Sequence, residues 1–368
     1  MTKDNNSRRN FLATLAATGA LATTQLTPFA SLASPSSDQK KAPFKPRNPD
    51  EPLRIASLLT LSAAEVEQIK GAGKNIEIVM AKDSKNPKEF SEAEVIFGFL
   101  DGSMMVHAKK LKWVQALGAG VESMPKELIE HSCTVTNMQR VYAPVIAESA
   151  IGLLLSLTRG LTQVSIPAFG ERTWREAPND VVLDDLYRKT IGIVGMGGIG
   201  SETARRLHYG FRMRVLSTDA KPLPKPDFVE ELHDPGWLME MVPQVDVLMS
   251  AAPLTAETKK MFNEKVFSKM KPSAYFINVS RGGLVDQEAL VKALKDKRIR
   301  GAGLDVTTPE PLPPDSPLWT CPNLVITPHN SGQAAIRQKR QIQLIAENVR
   351  RYSNGLPLMN VVDKVKGY

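Results

Sequence analysis

Thr190-Ile-Gly-Ile-Val194 runs directly into Gly195-Met-Gly197-Gly198-Ile-Gly200, and Ser201–Leu207 continues with helical character. The first run is short, apolar and uninterrupted, as expected of a strand buried on both faces. The glycines then come at the spacing G-x-G-x-x-G, between a strand and a helix, which is the context that gives this pattern meaning. Gly195 allows a tight turn, Gly197 lets backbone approach a pyrophosphate, and Gly200 permits close packing of helix on strand. Gly198 and Ile199 open the helix, whose first N–H groups lack intrahelical partners and carry the positive end of the helix dipole. The stretch therefore reads as the cradle of a dinucleotide.

Working outward, Arg214–Ser217 reads as the next strand, and Asp219 follows it, 19 residues beyond Gly200. A carboxylate there can accept hydrogen bonds from both ribose hydroxyls and repels a 2′-phosphate, which favours NAD over NADP. Further strand candidates are Val245–Ser250, Ala274–Val279, Gly303–Val306 and Leu324–Thr327. Upstream, Arg54–Leu59, Ile76–Met80, Val95–Phe99 and Trp113–Leu117 form a second strand–helix alternation, with Ala63–Gly71 as a helix. Two such alternations predict two α/β domains, each with a parallel sheet covered by helices. Val145–Leu157 is apolar but for Glu148 and reads as a buried helix joining them. Gln333 to about Ser353 reads as an amphipathic helix, ended by Asn354-Gly355.

The chain has 368 residues, enough for two domains, and 42% hydrophobic and 23% charged residues, an ordinary globular balance. Its first 33 residues carry +2 (Lys3, Arg8 and Arg9 against Asp4), which leaves +6 of the total +8 for the rest. Those charges are scattered rather than gathered into a basic stripe with aromatics, so nucleic acid is not an expected partner. A mildly basic surface instead favours acidic metabolites. Cys133 and Cys321 make no disulfide framework and are expected to be free thiols. The five histidines (His107, His131, His208, His233 and His329) have no metal-ligand spacing, so no metal site is expected.

Ser7-Arg8-Arg9-Asn10-Phe11-Leu12 has the twin-arginine export pattern. A weakly apolar stretch rich in Ala and Thr follows to about Ala22, and Ser31-Leu32-Ala33 supplies small residues where a signal peptidase cuts. The stretch is shorter than the ~20 apolar residues of a membrane span. Residues 1–33 thus read as a twin-arginine signal and 34–52, rich in Ser, Pro and Lys, as a linker. Export to the periplasm of a protein folded in the cytoplasm is the expectation, with a cytoplasmic protein as its alternative, and no membrane span is expected after processing.

Several further runs carry a resemblance. They are Gly192–Gly200, Pro253-Leu-Thr255-Ala-Glu-Thr258, Asn278-Val-Ser-Arg281-Gly-Gly-Leu-Val-Asp286, Gly303-Leu-Asp305-Val306, Pro309-Glu310-Pro311-Leu312, Thr327-Pro-His329 and Asn360-Val-Val-Asp363. Together with Leu117-Gly-Ala119-Gly120-Val121 and Ala147-Glu148 they span about residues 53–368, and the chain resembles the NAD-dependent D-isomer-specific 2-hydroxyacid dehydrogenase family. The resemblance implies two doubly wound parallel-sheet domains with a cleft between them. One is a flavodoxin-like substrate domain at 53–148, completed by 331–368; the other is a Rossmann domain binding NAD at 149–330. It also implies a homodimer built on the cofactor domains, and the chain's end at Tyr368 sets an expectation against the long phosphoglycerate dehydrogenase type.

The chemistry agrees with the resemblance. A 2-keto acid carries a carboxylate beside a polarised ketone, and the planar fork of Arg281 can engage both. His329 is the natural proton carrier near neutral pH. The resemblance pairs it with Glu310, whose carboxylate fixes the imidazole tautomer. Backbone N–H groups of Ala119, Gly120 and Val121 are implied to hold the substrate carboxylate from the other domain. Thr255 is implied to lie near the phosphates, and Val279 and Asp305 near the nicotinamide. The expected reaction is hydride transfer between nicotinamide and C2 of a small 2-hydroxy or 2-keto acid such as glyoxylate, hydroxypyruvate or pyruvate.

Three positions depart from the family pattern. Glu122 stands where Asp is frequent, Ser149 where His or Tyr is common, and Tyr209-Gly210-Phe211 is one residue longer. The rival readings are a non-catalytic NAD-binding sensor or scaffold, and an enzyme of other chemistry such as formate oxidation. Intact Arg281, Glu310 and His329 argue against the first, and Glu310 in place of Gln against the second.

Overall fold

The computed structural model describes residues 44–81, 85–179 and 181–368. The export-signal reading at 1–33 lies outside them. Among the described residues, twelve strands form two sheets in which every strand pair is parallel. Five helices among the described residues are eight residues or longer: α1 (Ala63–Lys70), α2 (Ala143–Thr158), α3 (Gly198–Phe211), α4 (Gln287–Lys295) and α5 (Arg337–Ser353).

The first sheet has the order β2-β1-β3-β4-β5, from β1 (Leu53–Ser57), β2 (Ile76–Met80), β3 (Val95–Phe97), β4 (Trp113–Gln115) and β5 (Thr134–Thr136). The second has the order β12-β11-β10-β9-β6-β7-β8. Its strands are β6 (Thr190–Val194), β7 (Arg214–Thr218), β8 (Glu231–His233), β9 (Val247–Ser250), β10 (Tyr275–Asn278), β11 (Gly301–Leu304) and β12 (Leu324–Ile326). The two parallel-sheet α/β domains expected from the alternation, and implied by the resemblance to be doubly wound, are both present. Strand order reverses between β6 and β9, so the loops leaving those two strands diverge and open a crevice, where ligands of such sheets bind.

Parallel strands need crossover helices on both faces, and burial follows from that. All five residues of β6 are buried, as are the four of β9, β10 and β11. β5 and β8, which lie at the sheet edges, are three residues each and largely polar (Thr134-Val-Thr136, Glu231-Leu-His233). Such short polar runs carry too little apolar signal to read as strands beforehand.

α2 begins two residues before the expected apolar run and packs on α3 and on β10, β11 and β12. α5 packs instead on α1. Asn348 on α5 donates to Gln115 Oε1 at 3.2 Å, and Tyr352 donates to Glu94 Oε1 at 2.5 Å, so the end of the chain closes the first domain. Within the stretch read as linker, Phe44 stacks edge-on against Tyr352 at 4.6 Å and Arg47 N–H donates to Ser353 O at 3.2 Å. Burying an aromatic ring there ties residues 44–47 to α5 rather than leaving them free.

The longer segment at Tyr209-Gly210-Phe211 is carried within α3, which ends at Phe211. Arg212 then turns left-handed at φ 54°, and β7 starts at Arg214, which leaves Asp219 next to the end of its strand.

Candidate active site

The register of the second sheet sets the site. Thr218, Val194, Ser250, Asn278, Leu304 and Ile326 lie side by side across six adjacent strands. Gly195 is the first residue past this line on β6 and Asp219 the first on β7, while Arg281 and His329 are each the third past it on β10 and β12. All four therefore leave the sheet at its carboxyl edge.

The glycine turn is built as its sequence requires. Gly195 has φ +97°, and a Cβ there would lie 2.7 Å from the backbone of Ala251 and Ala252, so only glycine fits. A Cβ on Gly200 would lie 2.0 Å from Gly195 O. At Gly197 the same test meets nothing within 4 Å: that glycine opens onto empty space. Met196 N–H donates to Asp219 Oδ2 at 2.7 Å and Lys221 N–H to Asp219 Oδ1 at 2.8 Å, which holds the carboxylate at the mouth of the turn. An open Gly197, the N-terminus of the 14-residue α3 and a carboxylate at the adjacent strand end together suit the pyrophosphate and adenosine ribose of a dinucleotide. Ile199 lies in the first turn of α3 beside Gly198, where a Cβ would meet Arg140 at 2.8 Å, so the helix start is pressed against the loop before α2. Val279 is buried under the same edge.

His329 Nδ1–H donates to Glu310 Oε2 at 2.7 Å, which leaves Nε2 as the nitrogen available for proton exchange. Glu310 is held in turn, because its Oε1 accepts from Thr307 N–H at 2.9 Å. His329 has φ 51°, and its N–H donates to Asp305 O at 2.8 Å. Asp305, 1% exposed, is the anchor of this turn. Its Oδ1 accepts from Thr327 Oγ1 at 2.6 Å and from Asn330 N at 3.1 Å, and its Oδ2 from Ser331 N at 3.1 Å. Its carboxylate thus braces the histidine loop from below, a use that its strand position alone does not reveal.

Arg281 sits on a turn stapled by Asn278, whose Nδ2 donates to Arg281 O at 2.9 Å and whose Oδ1 accepts from Ser280 N at 3.1 Å. A Cβ on Gly282 would lie 1.9 Å from Thr307 O, so the arginine turn and the Glu310 loop are in backbone contact. Gln287, in the first turn of α4, accepts from Thr308 N–H at 2.8 Å and donates back to Thr308 O, clamping that loop further. Arg281, Glu310 and His329 are therefore brought onto one rim through adjoining loops.

Across from this rim lies the loop after β4. The carbonyls of Leu117, Gly118 and Ala119 accept from Tyr142 OH (2.8 Å), Met138 N (2.9 Å) and Asn137 Nδ2 (2.7 Å). In a trans peptide the next N–H points opposite its carbonyl, so the N–H groups of Ala119 and Gly120 face away from these partners. Gln341 on α5 donates to both Tyr142 OH and Leu117 O, so the C-terminal helix braces the loop. Val121 is buried.

Glu122 follows and reaches Arg281: Oε1 lies 3.1 Å from Nε and Oε2 3.4 Å from Nη2. This partner of Arg281 was identifiable beforehand only as a departure from the family pattern. Ser149, another departure, donates weakly to Ser331 O at 3.4 Å. Thr255 closes a local turn, accepting from Thr258 N–H at 3.3 Å and donating to Glu257 at 2.7 Å, in the loop after β9. Among the described residues, no group of three His, Cys, Asp or Glu side chains could hold a metal ion.

A two-domain dehydrogenase fold with a dinucleotide turn and an acid-backed histidine at its sheet edge defines an oxidoreductase class, and the comparisons place this chain within it. The family described as D-isomer specific 2-hydroxyacid dehydrogenase, NAD binding domain, matches residues 151–331. A glyoxylate reductase of Korarchaeum cryptofilum is 35% identical over 269 residues, 72% of this chain and 80% of that one. A glyoxylate/hydroxypyruvate reductase B of Klebsiella pneumoniae is 32% identical over 252 residues, 67% and 77% of the two chains. The crystal structure of an NADPH-dependent glyoxylate/hydroxypyruvate reductase from Sinorhizobium meliloti, in complex with citrate, superposes with a TM-score of 0.70 at 27% identity, covering 85% of this chain and 98% of that one. The chain belongs to the D-isomer specific 2-hydroxyacid dehydrogenase family, and it is a nicotinamide-dependent oxidoreductase of 2-hydroxy acids.

Proposed function

We propose that this protein reduces small 2-keto acids of the glyoxylate and hydroxypyruvate type, with NADH as reductant. The observation that carries this reading is the 2.7 Å pair of His329 and Glu310, set on the rim that also bears Arg281. Bound nicotinamide supplies the hydride in reduction and accepts it in oxidation. Arg281 holds the keto oxygen and carboxylate, and the Ala119 and Gly120 N–H groups hold the carboxylate from the other side. His329 Nε2 protonates the carbonyl oxygen, while Glu310 keeps Nδ1 protonated and the ring oriented. In the reverse direction His329 takes the hydroxyl proton.

The test is NADH absorbance with a panel of 2-keto acids, on the native protein and on Arg281→Ala. Turnover of the native enzyme should fall by at least 100-fold in the variant, with NADH binding retained. Normal turnover in Arg281→Ala overturns the assignment. A native protein that binds NADH and turns over nothing favours the non-catalytic sensor or scaffold.

Asp219 at the mouth of the turn supports NADH over NADPH, since a 2′-phosphate would meet a carboxylate. The twin-arginine pattern at Ser7–Leu12 supports export to the periplasm. Replacing both arginines by lysine should leave a tagged chain in the cytoplasm, and unaltered export would remove that reading. The stretch 161–187 exposes Ile166, Phe169, Trp174, Val182, Leu183 and Tyr187, with Trp174 fully exposed. So much bare apolar area on the cofactor domain supports a homodimer formed there.

A further inference from the structure

Each guanidinium nitrogen of Arg281 has a partner in this structure. Nε and Nη2 face the two oxygens of Glu122 at 3.1 and 3.4 Å, and Nη1 donates to Ser280 O at 2.7 Å. Glu122 therefore stands on the side of the guanidinium fork that a substrate carboxylate would use. The pair is partly exposed, with side-chain exposures of 32% and 35%, so the carboxylate can swing aside at modest cost. Once displaced it stays close, because it is anchored two residues from Gly120 in the loop that faces the substrate. A Cβ on Gly120 would lie 1.9 Å from Arg281 Nη2 and 2.4 Å from Glu122 Oε2, so arginine, glutamate and loop backbone share one small space.

We propose that Glu122 is a charge filter that sets substrate class: it admits 2-keto acids with one carboxylate and rejects those with two. This rests on Arg281 as the substrate-binding cation. A monoanion exchanges with Glu122 on the fork, and the loop N–H groups complete its binding. A dicarboxylic 2-keto acid brings a second negative charge that must lie near the displaced glutamate. A single arginine cannot offset both, and like charges held together at a partly desolvated site are strongly disfavoured. The side-chain length matters as well. An aspartate at this position is one methylene shorter and could not cover both nitrogens of the fork from the same backbone position, so the filter should weaken.

The experiment compares kcat/KM for glyoxylate and for 2-ketoglutarate with NADH, in native enzyme, Glu122→Gln and Glu122→Asp, at low and high salt. Glu122→Gln keeps the shape, removes the charge and leaves one acceptor oxygen for the fork. It should raise the 2-ketoglutarate to glyoxylate ratio on the order of tenfold, mainly through KM, with Glu122→Asp in between. High salt should shrink the native discrimination and leave that of Glu122→Gln nearly unchanged. If Glu122→Gln shifts both substrates by one common factor, Glu122 only positions Arg281 and the filter is refuted. Full turnover in Arg281→Ala would instead remove the reading beneath it, so the two failures are distinguishable.

Discussion

Asp219 has a structural duty that is visible and a selective one that is proposed. Its two oxygens accept from Met196 and Lys221 N–H groups, so it shapes the glycine turn, and in the proposed reading it presents a negative edge to the ribose. Asp219→Ala should therefore narrow the preference for NADH over NADPH, by about tenfold in the ratio of kcat/KM. An unchanged ratio would count against the ribose assignment. The Asp305 carboxylate is by contrast spent on three loop donors, which hold the turn that carries His329. Residue type and motif were enough to nominate Asp219, Arg281, Glu310 and His329. Asp305 was nominated as a neighbour of the nicotinamide; its bracing of the histidine loop depends on which N–H groups the fold brings beneath it, and spacing cannot show that. The ion pair between Glu122 and Arg281, 159 residues apart, was equally out of reach.

At the scale of elements, β6, its turn and α3 behave as one unit whose glycines have separable duties. Gly200→Ala would drive a methyl into Gly195 O, and overpacking against backbone costs about 2 kcal/mol or more. Gly197→Ala meets no atom within 4 Å, so the protein alone should tolerate it, whereas a bound pyrophosphate would not. The expectation is a lowered Tm for Gly200→Ala, and a native Tm with NADH affinity at least tenfold weaker for Gly197→Ala. Thermal melts and a fluorescence titration with NADH would check both; native affinity in Gly197→Ala would show that the cofactor lies elsewhere. These elements were legible because the apolar run of β6 is uninterrupted and leads straight into the spaced glycines. β5 and β8 were not, since each is three residues long and largely polar, so its side chains leave no apolar pattern.

For the whole molecule, the arrangement joins a β2-β1-β3-β4-β5 sheet to the larger one through α2, and the returning α5 then braces the loop after β4 through Gln341. The exposed apolar side chains at 161–187 give the homodimer a specific test. The native protein should sediment as a dimer, and Trp174→Glu with Phe169→Glu should sediment as a monomer with its far-ultraviolet spectrum retained. A native monomer would refute the proposal. Both cysteines are free, as their placement in different domains leads one to expect. Burial pushes the Cys133 thiol up to about 11, so it should stay unmodified by alkylating reagents near neutral pH until the protein unfolds.

What the sequence determined by itself was local and periodic: buried strands, the glycine turn, the acid beyond β7 and the residue types a keto-acid reductase needs. These follow from steric limits and side-chain chemistry acting within a few residues, so they can be read along the chain. The tertiary structure alone decided which of those groups meet. Sheet register aligned the ends of six strands, Asp305 and Gln287 held the rim, and Glu122 came to rest on Arg281. Such contacts arise from the packing of segments remote in sequence, where one residue's partner depends on the whole fold.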